Sequence, residues 1–388
     1  MAAGCGAGAV SSGLGSDESI LAISTPLDGS STELRRLDAA TLAPRSHGLD
    51  LGEYHDAWAL SPDGRTLAVG TFLRTGLRLI DPATVRLDLD VPLPVAAIGV
   101  GWLDRERVAV LLQRGGAILV DARRGRILRR WPLRYRPPCQ GRRQAVTPYG
   151  VVFVVAAGNG GRLRVLRIGS AGRLDVVLLG RVRSPSSGRG CGVPALAVDP
   201  TGRRAFVAGS HGPAAIVDLR SLRVSFRPER SVAGPCRPAV RACTTRRSAV
   251  WPTPTAVAVA GIEQVERRGR RPTERPLGLT AIDVRTRSTR VLDRSAGGVA
   301  SMPDGSLLAF GGRRGGIRAL TTGGVGRWTA LPGARMRTAQ ATDRHVYLLD
   351  DAGEATYVLD AVSGRVLSKS AGRGRLDVLS GRDEAGDP

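Results

Sequence analysis

The chain has 388 residues, 42% of them hydrophobic and 4% aromatic, with 57 Lys and Arg against 34 Asp and Glu for a formal charge of +23. Its apolar residues come in short runs such as 151–157 and 256–260, well below the ~18 consecutive apolar residues of a membrane-crossing helix. With so few aromatics the basic segments lack stacking platforms for single-stranded nucleic acid, and Lys369 stands alone beside 56 arginines, a skew that fits coding in a GC-rich genome.

Residues 1–18 are rich in Gly and Ser and read as a flexible N-terminal segment. Ala2-Ala-Gly-Cys5 followed by small residues resembles the end of a bacterial lipobox and its tether, although the usual Leu is absent at Ala2 and no charged or apolar leader precedes it. Cys5 is therefore the lipidation candidate, with the rest of a signal peptide expected upstream of Met1. An ordinary small-residue N-terminus is the alternative. The first strands follow at Ile20–Ser24 and Glu33–Asp38.

From residue 55 a unit becomes visible: a Ser61-Pro-Asp-Gly64 turn, a strand over 66–70, a loop and a strand closing on Ile80-Asp81. An apolar residue followed by a turn former recurs at Leu37/Asp38, Ile80/Asp81, Val120/Asp121, Ile168/Gly169, Val217/Asp218, Ile282/Asp283, Leu320/Thr321 and Leu359/Asp360, a mean spacing of 46 residues. That period fits the roughly 40–50 residues of a four-stranded propeller blade. The turn itself returns as Asp199-Pro-Thr-Gly202 and Met302-Pro-Asp-Gly305, where Pro presets the first turn dihedral and Gly accepts a positive one. The expected fold is all-β, a β-propeller of seven or eight blades, eight favoured, each of four antiparallel strands. The first unit lacks an innermost strand, and Leu376-Asp-Val-Leu379 is expected to supply it and zip the ends together. One propeller domain thus spans 19–380, with a short tail over 381–388.

These units resemble the WD40-like and YVTN-like repeats of divergent bacterial β-propellers over roughly residues 20 to 380. His55, Trp58, the Ser61–Gly64 turn and Asp81 fall where such repeats place comparable residues, while Ile80 stands where the WD40 signature has its Trp. The resemblance implies a scaffold fold that hosts binding proteins, lactonases and quinoproteins alike.

Catalytic chemistry is not evident. His47, His55, His211 and His345 are scattered, and no nucleophile elbow, phosphate loop or paired-His metal motif is present. Gly158–Gly161 and Gly311–Gly316 read as hairpin turns. The recurring Asp residues read as turn structure, and no cofactor or metal is expected. Cys139, Cys191, Cys236 and Cys243 fall in connections between blades and are disulfide candidates, Cys139 with Cys191 and Cys236 with Cys243, with free thiols as the alternative.

Charge remains. In a propeller the inter-blade connections and the central-hairpin loops emerge on one face. The connections hold Arg134–Arg143, Arg181–Arg189 and Arg227–Arg247. The loops hold Arg74, Arg114, Arg162, Arg267, Arg268, Arg270, Arg271, Arg275, Arg313 and Arg314. Arg74, Arg114, Arg162, His211, Arg313 and Arg314 are the candidate ligand-binding residues, because converging guanidinium groups suit carboxylate or phosphate. Arg123, Arg124, Arg173, Arg220, Arg285 and Arg290 give the opposite face arginines too. The Pro/Arg-rich insertion Glu263–Pro276 is expected to be disordered alone and to order on a partner. The function expected is that of a monomeric, non-catalytic scaffold for an anionic ligand or a protein partner, exported and membrane-associated only through its lipid tether. A lactonase-like or quinoprotein-like propeller enzyme and a cytoplasmic nucleic-acid-binding propeller are the alternatives.

Overall fold

The eight punctuation marks read from the sequence each end the third strand of a separate antiparallel sheet in the computed structural model. The structure describes residues 19–25, 31–52, 54–71, 75–113, 115–135, 144–157, 161–183, 190–210, 212–227, 242–266, 273–312, 315–350, 355–371 and 374–379. Blades 2 to 8 take their strands in sequence order from the innermost outward. In blade 2 these are Tyr54–Leu60, Leu67–Thr71, Gly76–Asp81 and Arg86–Pro92. The count is eight, not seven.

Blade 1 is assembled from both ends of the chain. Its outer three strands are Ser19–Thr25, Thr32–Asp38 and Leu49–Gly52, and Arg375–Leu379 pairs antiparallel with the first of them, Ala22 opposite Val378. The closure expected from the sequence is therefore present. It converts two free sheet edges into a ladder.

Strands inside the blades such as Leu67–Thr71, Arg107–Leu112 and Gly116–Asp121 read as continuous apolar runs because both faces are buried, whereas outer strands such as Arg86–Pro92 are largely exposed. In Gly150–Ala157 of blade 4, Val151, Phe153 and Val155 pack into a wedge shared with blade 3. Val152, Val154 and Ala156 pack into the next wedge, shared with blade 5. Eight such wedges fill the eight interfaces between neighbouring blades, the last joining Tyr347 and Val358 of blade 8 to Ala22, Leu376 and Val378 of blade 1.

The turns obey the chemistry read from the sequence. Gly64, Gly202 and Gly305 adopt φ of 71°, 69° and 80°, and each donates its N–H to the carbonyl three residues back. At the opposite hairpin of six blades the recurring Asp accepts backbone N–H groups two or three residues on, as Asp283 does from Arg285 and Thr286 at 2.8 and 2.7 Å. These bonds favour the ionised form. Asp38 is held well below the ordinary carboxylate range, chiefly by the Arg45 guanidinium. Asp81 and Asp360 are lowered chiefly by the Thr84 and Ser363 hydroxyls. Asp121, Asp218 and Asp283 are lowered chiefly by backbone N–H groups.

A folded-state pKa below the unfolded value stabilises the fold above the unfolded pKa and ceases to do so as pH falls through the folded one. The urea midpoint should therefore be flat above about pH 5 and fall progressively below about pH 4. A midpoint that rises on acidification would contradict this assignment.

One expectation is corrected. The insertion Glu263–Pro276 is not unstructured in its described parts. Its first residues extend the second strand of blade 6, Ala256–Glu266, and Thr273–Pro276 pairs back on them, with Glu263 opposite Arg275. The inner strand of the same blade, Ala242–Thr253, is lengthened to match, and Gly190–Val193 from the connection between blades 4 and 5 runs parallel to it. Blade 6 thereby becomes a six-stranded sheet.

Candidate functional site

The antiparallel order places the inter-blade connections and central-hairpin loops on one face, called upper here, and the inner and outer hairpin turns on the lower face. Of the candidate ligand residues, Arg74, Arg114, His211, Arg313 and Arg314 lie outside the described residues, as do Cys5, Cys139 and Cys236. Arg162 is described. It is exposed, begins the third strand of blade 4, and stands in register with Arg183 of the outer strand. Arg181, also exposed, follows on that outer strand, so Arg162 and Arg181 lie at the upper end of one blade.

Arg247 corrects the sequence reading, which placed the whole segment Arg227–Arg247 on the upper rim. The side chain is only 1% exposed, inside the inner strand of blade 6, and Gly261 leaves room for its Cδ. Each proposed disulfide has one partner outside the described residues. The backbone does bring Cys191 and Cys243 onto paired strands, Cys191 opposite Thr244 and Gly190 opposite Cys243, one register step apart. Their separation of 52 positions in the chain gave no hint of this.

Ion pairs occur at both ends of the blades: toward the upper face Arg275 pairs with Glu263 at 2.7 Å and Arg318 with Asp293. On the lower face Arg45 pairs with Asp38, Arg123 with Glu106 at 2.9 Å, Arg203 with Asp218 at 3.2 Å and Arg327 with Asp304. The acids of the hairpin turns thus meet the lower-face cations. Arg162 and Arg181 enter no ion pair among the described residues. Such exposed pairs contribute little stability, about 0.2–1 kcal/mol each, but they neutralise local charge.

The lower mouth holds a cavity of about 500 Å³ that the sequence analysis did not anticipate. It is lined by the inner-hairpin turns of blades 4 to 7, with Pro148, Pro200, Pro252 and Pro303 at equivalent places around it and Trp251 in its wall. In the sequence three of these prolines follow a strand end at the blade period, a pattern that turn chemistry alone explains. Asp199 is the ionisable residue of this lining. Its carboxylate accepts the N–H groups of Arg203 and Arg204 at 2.7 and 2.9 Å, the Thr201 hydroxyl at 3.1 Å and the Arg204 guanidinium at 3.0 Å. Arg204 also lies over the Trp251 ring, 4.9 Å from its centroid, and donates to the Pro254 carbonyl at 2.8 Å, which clamps blade 5 to blade 6.

Three polar side chains join inner strands around the channel. Apart from Cys243–Arg246 of blade 6, which Gly190–Val193 flanks, the inner strand of each blade has an edge with no further strand beside it, so its backbone groups need other partners. Gln144 of blade 4 accepts the Val100 N–H of blade 3 at 2.5 Å and donates to the Trp58 carbonyl of blade 2 at 2.8 Å. Ser248 of blade 6 accepts from Val299 of blade 7 at 3.0 Å, and Gln340 of blade 8 accepts from Val378 of the closing strand at 2.7 Å.

Among the described residues no three His, Cys, Asp or Glu side chains gather as metal ligands. No protein-family model matches the chain, nor does any curated protein sequence. Solved structures do resemble it. Dihydro-heme d1 dehydrogenase NirN in complex with DHE superposes with a TM-score of 0.61 at 16% identity, over 92% of this chain and 74% of that one. The computationally designed Ika8 protein gives 0.55 at 12% identity, over 84% and 96%. BamB from Moraxella catarrhalis gives 0.43 at 13% identity, over 94% and 88%. At such identities the first two likenesses speak to the fold alone. This chain is an eight-bladed β-propeller.

Proposed function

We propose that the protein is a non-catalytic propeller scaffold, built of divergent WD40-like or YVTN-like repeats, that holds an anionic ligand or a protein partner on its upper face. The supporting observation is how its acids are used. The Asp residues that recur with the repeat, the most regular source of catalytic or metal-binding groups in the sequence, are engaged as hydrogen-bond acceptors within their own turns. On the upper face, Arg162 and Arg181 are exposed and enter no ion pair among the described residues. A planar guanidinium fork suits carboxylate or phosphate recognition. The Cys5 context supports an extracytoplasmic, lipid-tethered location, and an oxidising compartment would suit the loop cysteines as disulfides.

Two measurements test this. Binding of poly-L-glutamate should weaken by about fivefold or more in the Arg162→Glu/Arg181→Glu variant and should fall steeply between low and physiological salt, as exposed charge contacts do. Unchanged, salt-insensitive binding would remove the upper face from the account. Calcium or zinc should leave the melting temperature unchanged, whereas a resident metal site saturated a hundredfold above its Kd would add about 2.7 kcal/mol. A metal-dependent rise would favour an enzyme instead.

A further inference from the structure

We infer that the outer edge of blade 4 docks an extended segment of a partner protein, apolar at alternate positions and acidic at its ends, which adds to the sheet as a further strand. The edge strand is Leu174–Arg183, ten residues long where the outer strands of the other blades have four to seven. It ends its sheet, so alternate N–H and carbonyl groups along Leu174–Leu179 point away from the blade, and among the described residues no strand pairs with that side.

Open edges are ordinarily blunted by charge, proline or shortness. Blade 2 places exposed Asp88 and Asp90 on its outer strand, blade 3 Arg129 and Arg130, and blade 8 Lys369. Over Leu174–Gly180 the exposed side chains of blade 4 are instead Val176 and Leu178, at 45% and 49%. Asp175 is already engaged, its carboxylate accepting from Arg167 at 2.6 Å and from Arg173 at 2.9 Å. The strand keeps register with its neighbour from Leu174 to Leu178 and shifts only beyond, where Gly180 takes a φ of 49°. The stretch before that shift is a regular template.

Side chains on one face select the occupant. Val176 stands opposite Leu166 and Leu178 opposite Arg164, so both belong to the side of the blade turned toward blade 3, where Trp131 packs into the same wedge as Leu166. Strand addition takes affinity from main-chain bonds and specificity from alternate side chains. Alternate apolar residues of the incoming strand meet Val176 and Leu178. An acidic residue beyond them meets Arg164 and Arg162, which lie two positions apart on that face and enter no ion pair among the described residues. A second copy is a poor occupant: laid antiparallel about Val177, it would set Arg173 against Arg181, like charges directly opposed.

This edge adjoins the proposed upper-face site and shares Arg162 with it, so the test separates the two. The probe is the peptide Glu-Val-Thr-Val-Thr-Val-Glu, amidated and carrying fluorescein, added to the full chain and followed by anisotropy. It should bind one equivalent and slow amide exchange within Leu174–Leu179. Val176→Lys/Leu178→Lys should weaken binding by about tenfold or more, because lysine on an edge opposes strand pairing even though it adds positive charge. Its melting temperature should hold, since both positions are exposed, and its binding of poly-L-glutamate should not weaken. The same peptide N-methylated at its Val and Thr amides should not bind. No binding of the unmodified peptide at millimolar concentration, or equal binding by the lysine variant or of the methylated peptide, would overturn the proposal. So would a free protein that sediments as a dimer and becomes monomeric in the lysine variant, since the edge would then belong to a second copy.

Discussion

Removal of residues 374–388 should lower the melting temperature by more than about 10 °C, or leave the protein unable to fold. The deleted segment contains the inner strand of blade 1. Leu376, Val378 and Leu379 are buried, and each such side chain contributes about 1.5–3 kcal/mol. Five backbone register pairs with Ser19–Thr25 disappear as well, as does the bond from the Val378 N–H to Gln340. The loss is on the order of 5 kcal/mol or more, a large share of the 5–15 kcal/mol by which domains are usually stable. Blade 1 would be left as three strands with an open edge against the channel, which invites association between molecules. Thermal melting with light scattering reads both effects. An unchanged transition in a monomeric protein would mean that the terminal strand is not part of the ring.

Gln144→Leu should cost about 2–5 kcal/mol in a urea titration at constant slope. Gln144 is 6% exposed and links three successive blades through one amide. Leucine keeps much of the volume but leaves the Val100 N–H and the Trp58 carbonyl without these partners, at about 1–3 kcal/mol for each buried group. Gln144→Glu separates the two contacts, because it retains an acceptor for Val100, loses the donor to Trp58 and buries a charge. It should be at least as damaging as leucine. A change below about 0.5 kcal/mol in the leucine variant would show that the inner edges are satisfied in another way.

The sequence disclosed the ring because a blade is a local object. Each third strand ends on an apolar residue and a turn former, and six of those turn formers are Asp residues whose carboxylates fold back on the next two or three amides. That pattern needs no knowledge of neighbours, so all eight marks fell at true strand ends. The closing strand was legible by subtraction, since the first unit lacked a partner and the last had a strand to spare. Features set by contacts between blades were not legible. Gln144 reads as one polar residue at the start of a short strand, and its reach to Trp58 crosses 86 positions. Arg247 lies within an arginine-rich stretch that suggests solvent, yet the missing Cβ of Gly261 opposite it lets the side chain lie inside the sheet. The added strands of blade 6 come from separate connections, so no single window of sequence contains its six-stranded sheet. The lower cavity depends on four equivalent turns facing a common mouth, a property of the ring and of no one turn.

The central claim is a closed ring whose last strand completes its first blade, and amide hydrogen exchange at that closure tests it most directly. The amides hydrogen-bonded between Ser19–Thr25 and Arg375–Leu379 should exchange as slowly as those of the buried strand Gly150–Ala157, opening only with the whole molecule. Exchange there faster by orders of magnitude, with the blade 4 amides still protected, would contradict it.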